Sequence, residues 1–446
     1  MPTVVQAYIG STPLFTTTSA TSGWTRNTEW LTLPSAASNE VRGLHAVFNH
    51  DENYCTVNMR TTDGSTYTID WGDGNVETCT SNIQTRHNYS FANAALDGTL
   101  TSKGYKQALV RIYPQAGKTF LTCTLNGKAS TPSGLQAYTT GWLDLNFNLP
   151  NLGSGQSLFI GTSLIRHGYL ERVNITSWGS ITNINNLFQS CTVLESINSN
   201  EFNMANITTA STMFQACYKL SELDCSSWDL RKCTDLTNFA RDCRALQRIS
   251  CSTWNLSACT SLNATFFTCT SLTDLDVSNW DTRNLANLNY TFGSCLSLKT
   301  LNLSGWDTRK VTTLTNTFNG CFALQTIDIS NWQLPICTAA TDAFYLCYNL
   351  QKLETCNLSA VTTGNFGTSF AGGCNSLKKV TLQGIAQSIS FANCSMSSTS
   401  LNTLYTNLAT VGAAGSNAKI ITVTGNYGTT ADDPTIAQNK GWAVTG

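Results

Sequence analysis

The chain has 446 residues, of which 12% are charged, against the ~25% that is usual in globular domains. Its 26 Lys and Arg residues nearly balance 27 Asp and Glu residues, and the formal net charge of −1 excludes strong attraction to nucleic acid or to an anionic membrane surface. Hydrophobic residues make up 41%, which excludes a disordered chain and allows a large core.

The N-terminal residues 1–37 are rich in Thr and Ser and contain Trp24 and Trp30. We expect them to form an arm or the first strands of a domain. They show no basic region followed by an apolar stretch, and no run of about 18 apolar residues occurs elsewhere. We therefore expect no ordinary secretion signal and no membrane insertion.

Residues 38–130 alternate apolar and polar positions in short runs, such as Tyr67–Trp71 and Ala108–Tyr113, between turns rich in Gly, Asn and Asp. This pattern predicts a small antiparallel β-sandwich. His45 and His50 lack a spacing that would place both on one face, so no metal site is predicted there.

A tight turn is predicted within this segment, at Asp70, Trp71, Gly72, Asp73 and Gly74. The W-x-G-D-G pattern, followed by H-x-Y at His87 and G-Y at Gly104, resembles the PKD-type immunoglobulin-like domain. The resemblance implies that Asp73 and the glycines fix the turn. The alternative, a carboxylate pair for acid–base chemistry or Ca²⁺, is disfavoured because Asp-Gly is a hairpin signal and no base or ligand cluster accompanies it.

A repeat of 26 residues dominates the rest of the chain. Cysteines recur at this interval at Cys191, Cys217, Cys243, Cys269, Cys295, Cys321 and Cys347. Eleven positions after most of them stands a tryptophan: Trp228, Trp254, Trp280, Trp306 and Trp332. Such a period predicts a solenoid of about ten coils over residues 167–397, because each unit buries its apolar side against the next. A connector and N-terminal cap at 131–166 and a C-terminal cap at 398–446 would flank it.

Each unit is predicted to run strand, turn, helix. In one unit Leu275 and Val277 alternate as on a short strand, whereas Leu285, Leu288 and Phe292 recur at helical steps. The expected fold class is therefore mostly β with short helices: an immunoglobulin-like, PKD-type sandwich followed by an α/β solenoid of leucine-rich-repeat type.

The cysteines occupy inward positions of this repeat and are predicted to be buried free thiols. Disulfides would need antiparallel partners and zinc would need C-x-x-C spacing, and neither occurs. His167 stands in a cysteine position, where we expect a packed or end-cap residue rather than a ligand. No cofactor and no metal are predicted.

The unit LxxLDVSNWDTRNLxxLNYTFGSC resembles the 26-residue BspA-like leucine-rich repeats of bacterial surface proteins and lipoproteins, over roughly residues 167–394. That resemblance implies surface display and adhesion to proteins or glycans. Together, the GWTRNTEWLTLP opening, the IDWGDG segment and the KGWAVTG ending resemble virion structural proteins of tailed phages, particularly phages of marine bacteria. Such proteins are assembled in the host cytoplasm and need no signal peptide.

Polar residues recur seven and nine positions after each cysteine, on the outward side of the predicted sheet. They form the candidate binding face: Asp224, Ser226, Ser250, Ser252, Asp276, Ser278, Asn302, Ser304, Asp328 and Ser330. Next-but-one carboxylates would lie ~10 Å apart, too far for a glycosidase pair. The serines have no repeating base beside them, so we predict no catalytic residue. A solvated spacer surface is the alternative to a binding face.

We therefore expect a non-enzymatic phage virion structural protein, a fibre or decoration component at the virion surface. Its N-terminal domain would bind other virion proteins, and its solenoid a host-surface protein or glycan, with no nucleic-acid partner; a homo-oligomer is left open. The alternatives are a bacterial cell-surface leucine-rich-repeat adhesin and a tailspike-like polysaccharide depolymerase.

Overall fold

A computed structural model describes residues 24–49, 53–126, 141–161, 168–354, 356–358, 366, 369–412 and 418–446, and the backbone of four short strands at 8–9, 12–13, 128–130 and 136–138. In this part of the chain the structure is mostly β, with two sheets at the N-terminal end and a stack of parallel coils after them. The expectation of a mostly β chain with a sandwich followed by a repeat solenoid is confirmed, whereas the PKD type of the sandwich stays a prediction. His50 and His167 lie outside the described residues.

The N-terminal strands are β1 (Tyr8–Ile9), β2 (Thr12–Pro13), β3 (Glu40–Val47), β4 (Tyr54–Thr61), β5 (Tyr67–Asp70), β6 (Val76–Cys79), β7 (Thr85–Asn88), β8 (Lys106–Pro114), β9 (Phe120–Thr124), β10 (Lys128–Ser130), β11 (Gln136–Tyr138), β12 (Trp142–Asn148) and β13 (Leu158–Phe159). The coil strands are β14 (Arg172–Ser177), β15 (Ser196–Ile197), β16 (Glu222–Asp224), β17 (Arg248–Ser250), β18 (Asp274–Leu275), β19 (Thr300–Asn302), β20 (Thr326–Asp328), β21 (Lys352–Leu353) and β22 (Lys379–Val380). The C-terminal elements are β23 (Ile389–Ser390), α1 (Ser398–Asn407), β24 (Lys419–Thr422), α2 (Thr435–Gln438) and β25 (Trp442–Thr445). Single 3₁₀ turns occur at Ala94–Leu96, Ser199–Glu201 and Tyr427–Thr430.

Two sheets face each other at the N-terminal end. One has the strand order β15-β14-β12-β3-β8-β5-β6 and the other the order β13-β9-β4-β7. Alternate residues of β4 and β8, among them Val57, Met59, Val110 and Ile112, are buried in one shared cluster. The alternation of apolar and polar residues places these side chains between the two layers, as in a β-sandwich.

The sandwich runs into the solenoid without a break. Strand β12 comes from the segment 131–166, for which the sequence predicts a connector, and it pairs antiparallel with β3 and parallel with β14 of the first coil. The second sheet continues in the same way, since the Gly161 N–H donates to the Leu187 carbonyl oxygen. The buried cluster is likewise continuous from the sandwich through the coils. The sandwich therefore covers the N-terminal end of the stack.

The coils stack in register on two sides. On one side the short strands pair in parallel, with Glu222 opposite Arg248 and Arg248 opposite Asp274. On the other side a ladder of single bridges links successive coils, from Asn183 to Ala339. Because neighbouring coils are joined by backbone hydrogen bonds on both sides, each coil satisfies the polar groups of the next.

The predicted helix of the repeat is wrong. The residues before each cysteine form successive tight turns: the Cys295 N–H donates to the Phe292 carbonyl, while the Phe292 N–H reaches Thr317 of the next coil. Two residues of this segment, Tyr290 and Ser294, have φ of 55° and 57°. A helix would keep its N–H groups within one coil, whereas here left-handed residues turn alternate N–H groups outward to the neighbouring coil.

The C-terminal end is covered by α1 and a parallel sheet of β23, β24 and β25. The Ser397 side chain caps α1 by accepting a hydrogen bond from the Ser400 N–H. Leu401, Leu404 and Tyr405 of α1 are buried against the stack. Within the described residues, no helix has the length and apolar character needed to cross a membrane.

Candidate functional site

The coils present one outward surface, here called the strand face. It comprises the residues five and seven positions after each repeat cysteine, which share one side of the strand, and the residue four positions after it, which precedes the strand; none of these residues is buried. Its rim is formed by turns in which an acidic or amide side chain holds a serine. Asp276 Oδ1 accepts hydrogen bonds from the Ser278 N–H at 3.0 Å and from its hydroxyl at 2.7 Å. Asn302 holds Ser304 in the same way, at 3.1 and 2.8 Å.

The same turn recurs at Asp224 with Ser226 and, through the backbone N–H alone, at Asp328 with Ser330. The register of the parallel strands sets Asp224 opposite Ser250 in the next coil. The structure thus brings the predicted polar series to one edge of the sheet. Each of these four carboxylates or amides has a local partner, so the edge is a row of fixed hydrogen-bonding groups.

Ion pairs between coils cross the strand face at positions that the sequence analysis did not single out. Arg248 Nη2 lies 3.7 Å from Glu222 Oε1 and Arg248 Nε lies 3.6 Å from Asp274 Oδ2; the two carboxylates belong to the coils on either side. The positions five residues after each cysteine carry these charges. The alternation of the strand was the available signal, because a residue two positions before an outward residue also faces outward.

A second charge group lies at the C-terminal end of the strand face. Glu354 accepts from Lys352 at 2.7 Å and from Lys379 at 2.6 Å. The hydrogen bond from Lys352, together with that from Lys379, holds the pKa of the Glu354 carboxyl below its ordinary value. This end of the face therefore carries an ionised carboxylate between two ammonium groups.

A separate ridge, here called the turn ridge, follows the tryptophans. In three coils an aspartate pairs with the arginine two residues later: Asp229 with Arg231, Asp281 with Arg283 and Asp307 with Arg309. The arginine hydrogen bond lowers the pKa of each of these aspartates. The ridge repeats the spacing of the strand face with internally neutralised pairs.

The interior of the coils is lined by donors that reach back to the preceding coil. The Cys295 thiol lies 3.2 Å from the Phe266 carbonyl oxygen, and the Trp280 indole N–H donates to the Cys251 carbonyl at 2.8 Å. All 18 cysteines are free and buried. Burial raises the pKa of Cys295 to about 12, so this thiol stays protonated near neutral pH. The cysteine and tryptophan positions therefore combine packing with hydrogen bonding between coils.

The turn between β5 and β6 is held by its own carboxylates. Asp70 Oδ1 accepts from the Gly72 N–H at 3.0 Å and Asp73 Oδ1 from the Asn75 N–H at 3.1 Å. His87, which the sequence analysis did not connect with this turn, lies with Nε2 2.9 Å from Asp73 Oδ2 and stacks on Trp71. Because both partners are buried, the pair belongs to the interior of the sandwich. The H-x-Y pattern was the only signal for it.

Clusters of metal-binding side chains and cavities are the other places in the described residues where a site could lie. No group of three or more His, Cys, Asp and Glu side chains converges there as it would around a metal ion. An open cavity of about 320 Å³ lies where the first coils begin, beside Trp178, Glu201 and Phe202. Glu201 is the only ionisable side chain that lines it, so the cavity offers no acid–base pair.

The comparisons with known proteins concern the repeat. The family described as "Mycoplasma protein of unknown function, DUF285" matches residues 162–274 and 234–356. A solved structure titled "Crystal structure of TLR13-ssRNA13 complex" aligns with 65% of this chain at 16% identity and a TM-score of 0.21; the alignment spans half of that chain. No curated protein matches at a significant level. The fold and the family match together describe a repeat protein whose coils form a solenoid.

Proposed function

We propose that this chain is a non-enzymatic repeat protein displayed on a surface, and that its strand face is the surface used for adhesion. The observation that carries the proposal is the row of fixed turns along the edge of that face. Since Asp276 and Asn302 are already held by Ser278 and Ser304, little side-chain freedom is lost when a partner binds. Extended solenoid surfaces of this kind suit long partners such as glycans or proteins.

We propose the virion of a tailed phage as the setting, where the chain would be a fibre or decoration component. The sandwich, with its PKD-like turn at Asp70–Gly74, would attach to other virion proteins. The resemblance of the chain ends supports this setting, whereas the DUF285 match supports a bacterial cell-surface adhesin equally well. Mass spectrometry of purified virions and immunogold labelling of intact bacteria separate the two. Detection on bacteria and absence from virions would overturn the virion setting.

Adhesion is tested with the full chain on host cells. The triple variant Asp224→Asn, Asp276→Asn, Asp328→Asn removes charge from the strand face while keeping the turns, as Asn302 does naturally. We expect the protein concentration that gives half-saturation of the cells to change at least tenfold.

The turn ridge supplies a matched control in the triple variant Asp229→Asn, Asp281→Asn, Asp307→Asn, which we expect to bind as the unchanged chain does. Equal effects of the two triple variants, or no binding by the unchanged chain, would overturn the proposed contact face. Release of reducing ends from host polysaccharide would overturn the non-enzymatic assignment.

A further inference from the structure

Charges of opposite sign are separated along the strand face. Its acidic residues are concentrated in the coils of β15 to β18: Glu195, Glu222, Asp224, Asp274 and Asp276. Its lysines lie in the coils of β19 to β22: Lys299, Lys352, Lys378 and Lys379. The exceptions are Arg248 in the acidic half and Asp328 and Glu354 in the basic half. The face is therefore complementary to a reversed copy of itself.

We propose that the partner of the strand face is a second copy of this chain, packed antiparallel and face to face, with the two-fold axis between β18 and β19. This inference rests on the proposed function, because it concerns the same face: the dimer covers the strand face, so adhesion to a host partner requires the two copies to separate. An interface of this symmetry uses one surface twice, so each contact occurs in two equivalent places.

The axis sets four pairs of coils opposite each other. The coil of β15, with Glu195, faces that of β22, with Lys378 and Lys379. The coil of β16, with Glu222 and Asp224, faces that of β21, where Lys352 and Glu354 cancel. Arg248 of β17 faces Asp328 of β20. Asp274 and Asp276 in the coil of β18 face Lys299 in the coil of β19. In this arrangement no coil meets a net charge of its own sign, and three of the four pairs are oppositely charged.

Other registers bring like charges together. An axis through β18 sets Asp274 and Asp276 against their own copies. An axis between β17 and β18 sets Glu195 against Asp328, and one between β19 and β20 sets Arg248 against the two terminal lysines. A parallel arrangement places every coil against itself. Repulsion in these alternatives selects the proposed register as much as attraction does.

The size of the face sets the expected strength. Eight coils spaced ~4.8 Å apart and four residues of chain, ~13 Å, give ~500 Å² per copy, or ~1,000 Å² in total, which is the size of weak and transient interfaces. The contact side chains are accessible, with Asp274 66% and Lys379 58% exposed. The face is polar, so we expect a reversible dimer that dissociates as salt shortens the screening length.

The register is tested by zero-length carbodiimide cross-linking of the full chain, with equal amounts of ¹⁴N- and ¹⁵N-labelled protein at low salt. We expect mixed-isotope links between Glu195 and Lys378 or Lys379, and between Glu222 and Lys352. Within one chain Glu195 and Lys378 are seven coils, or ~34 Å, apart, so this link requires two copies. Its absence at low salt, or its persistence in 1 M NaCl, would overturn the proposal.

A charge swap provides the second test, read by sedimentation velocity. The variant Lys378→Glu, Lys379→Glu and the variant Glu195→Lys should each weaken the dimer at least tenfold, because each sets charges of like sign against each other, and the combination of all three substitutions should restore it. Lys310→Glu, beside the turn ridge, should leave the dimer unchanged. A monomeric unchanged chain, or a triple variant that does not restore the dimer, would overturn the proposal. Cell binding by the same variants is measured separately, so failure of adhesion and failure of dimerisation give different results.

Discussion

The carboxylate of Asp276 carries both a structural and a proposed recognition role, and the two can be separated. Asp276→Ala removes the two hydrogen bonds to Ser278 and should lower the free energy of unfolding by ~1 kcal/mol. Asp276→Asn keeps an acceptor and should stay within ~0.5 kcal/mol of the unchanged chain. Urea denaturation of the full chain measures both changes. Equal losses in both variants would show that the charge, and not the turn, is what stabilises this coil.

His45 makes the stability of the sandwich depend on pH. Burial, with His87 nearby, lowers the pKa of His45 to about 3. In the unfolded chain the pKa is ~6.5, so below that pH the unfolded state gains a proton that the folded state does not accept. Stability should therefore fall as the pH drops from ~6.5 towards ~3, by ~1.4 kcal/mol for each pH unit.

His45→Phe should flatten this part of the dependence, because it removes the titrating group while keeping a ring that can stack on Tyr89 and meet Trp142 edge-on. The measurement is the free energy of unfolding of both chains in urea between pH 7 and pH 4. Parallel pH profiles for the two chains would contradict the assignment.

At the residue scale, the spacing of residues along the chain predicted the positions that repeat in every coil. It did not predict contacts between residues that are distant in sequence. The inward position of Cys295 follows from the 26-residue period alone. The contact of His87 with Asp73 joins strand β7 to the turn between β5 and β6, and apart from the H-x-Y pattern nothing in the sequence relates the two residues. The pairing of Asp276 with Ser278 could have been predicted from the sequence, because an aspartate two residues before a serine is typical of an Asx turn. In the sequence analysis the two residues are treated only as members of the outward polar series.

At the scale of the repeat element, the left-handed residues give a direct test of the turn structure. Thr268 and Gly320 occupy the same position, one residue before the cysteine, with φ of 63° and 72°. Thr268→Gly removes the clash of a β-branched side chain in this conformation and should stabilise the chain by up to ~1 kcal/mol. Gly320→Ala should destabilise it by ~1 kcal/mol. Thermal unfolding of both variants measures these changes in stability. A destabilising Thr268→Gly together with a stabilising Gly320→Ala would indicate a helical conformation before the cysteine.

The helix was predicted wrongly because turns of three residues bury apolar side chains at nearly the same spacing as a helix does. Leu285, Leu288 and Phe292 fit both. About half of the residues with positive φ, such as Thr268 and Tyr290, give no sign of it in the sequence. The available signals were Gly320 one residue before the cysteine and Asn238 and Asn316 five residues before it, because Gly and Asn tolerate this conformation.

At the scale of the whole molecule, the period predicted the solenoid but not its union with the sandwich. Strand β12 interrupts its apolar residues with Asp144 and Asn146, which disguises a strand buried on both faces. Asp144 is accommodated because Arg26 and Arg172 both pair with it. These partners lie far away in sequence, so the role of the strand could not be deduced from the segment itself.

This union predicts that the solenoid cannot exist alone. A chain starting at residue 168 would leave the N–H and C=O groups of β14 without their β12 partners and would uncover Val173 and Ile175. Open strand edges and uncovered core associate with other chains, so we expect oligomers or precipitate where the full chain stays dispersed. Size-exclusion chromatography with light scattering compares the two under the same conditions. A monomeric fragment with an unchanged denaturation midpoint would contradict the prediction, because the sandwich would then contribute nothing to the end of the stack.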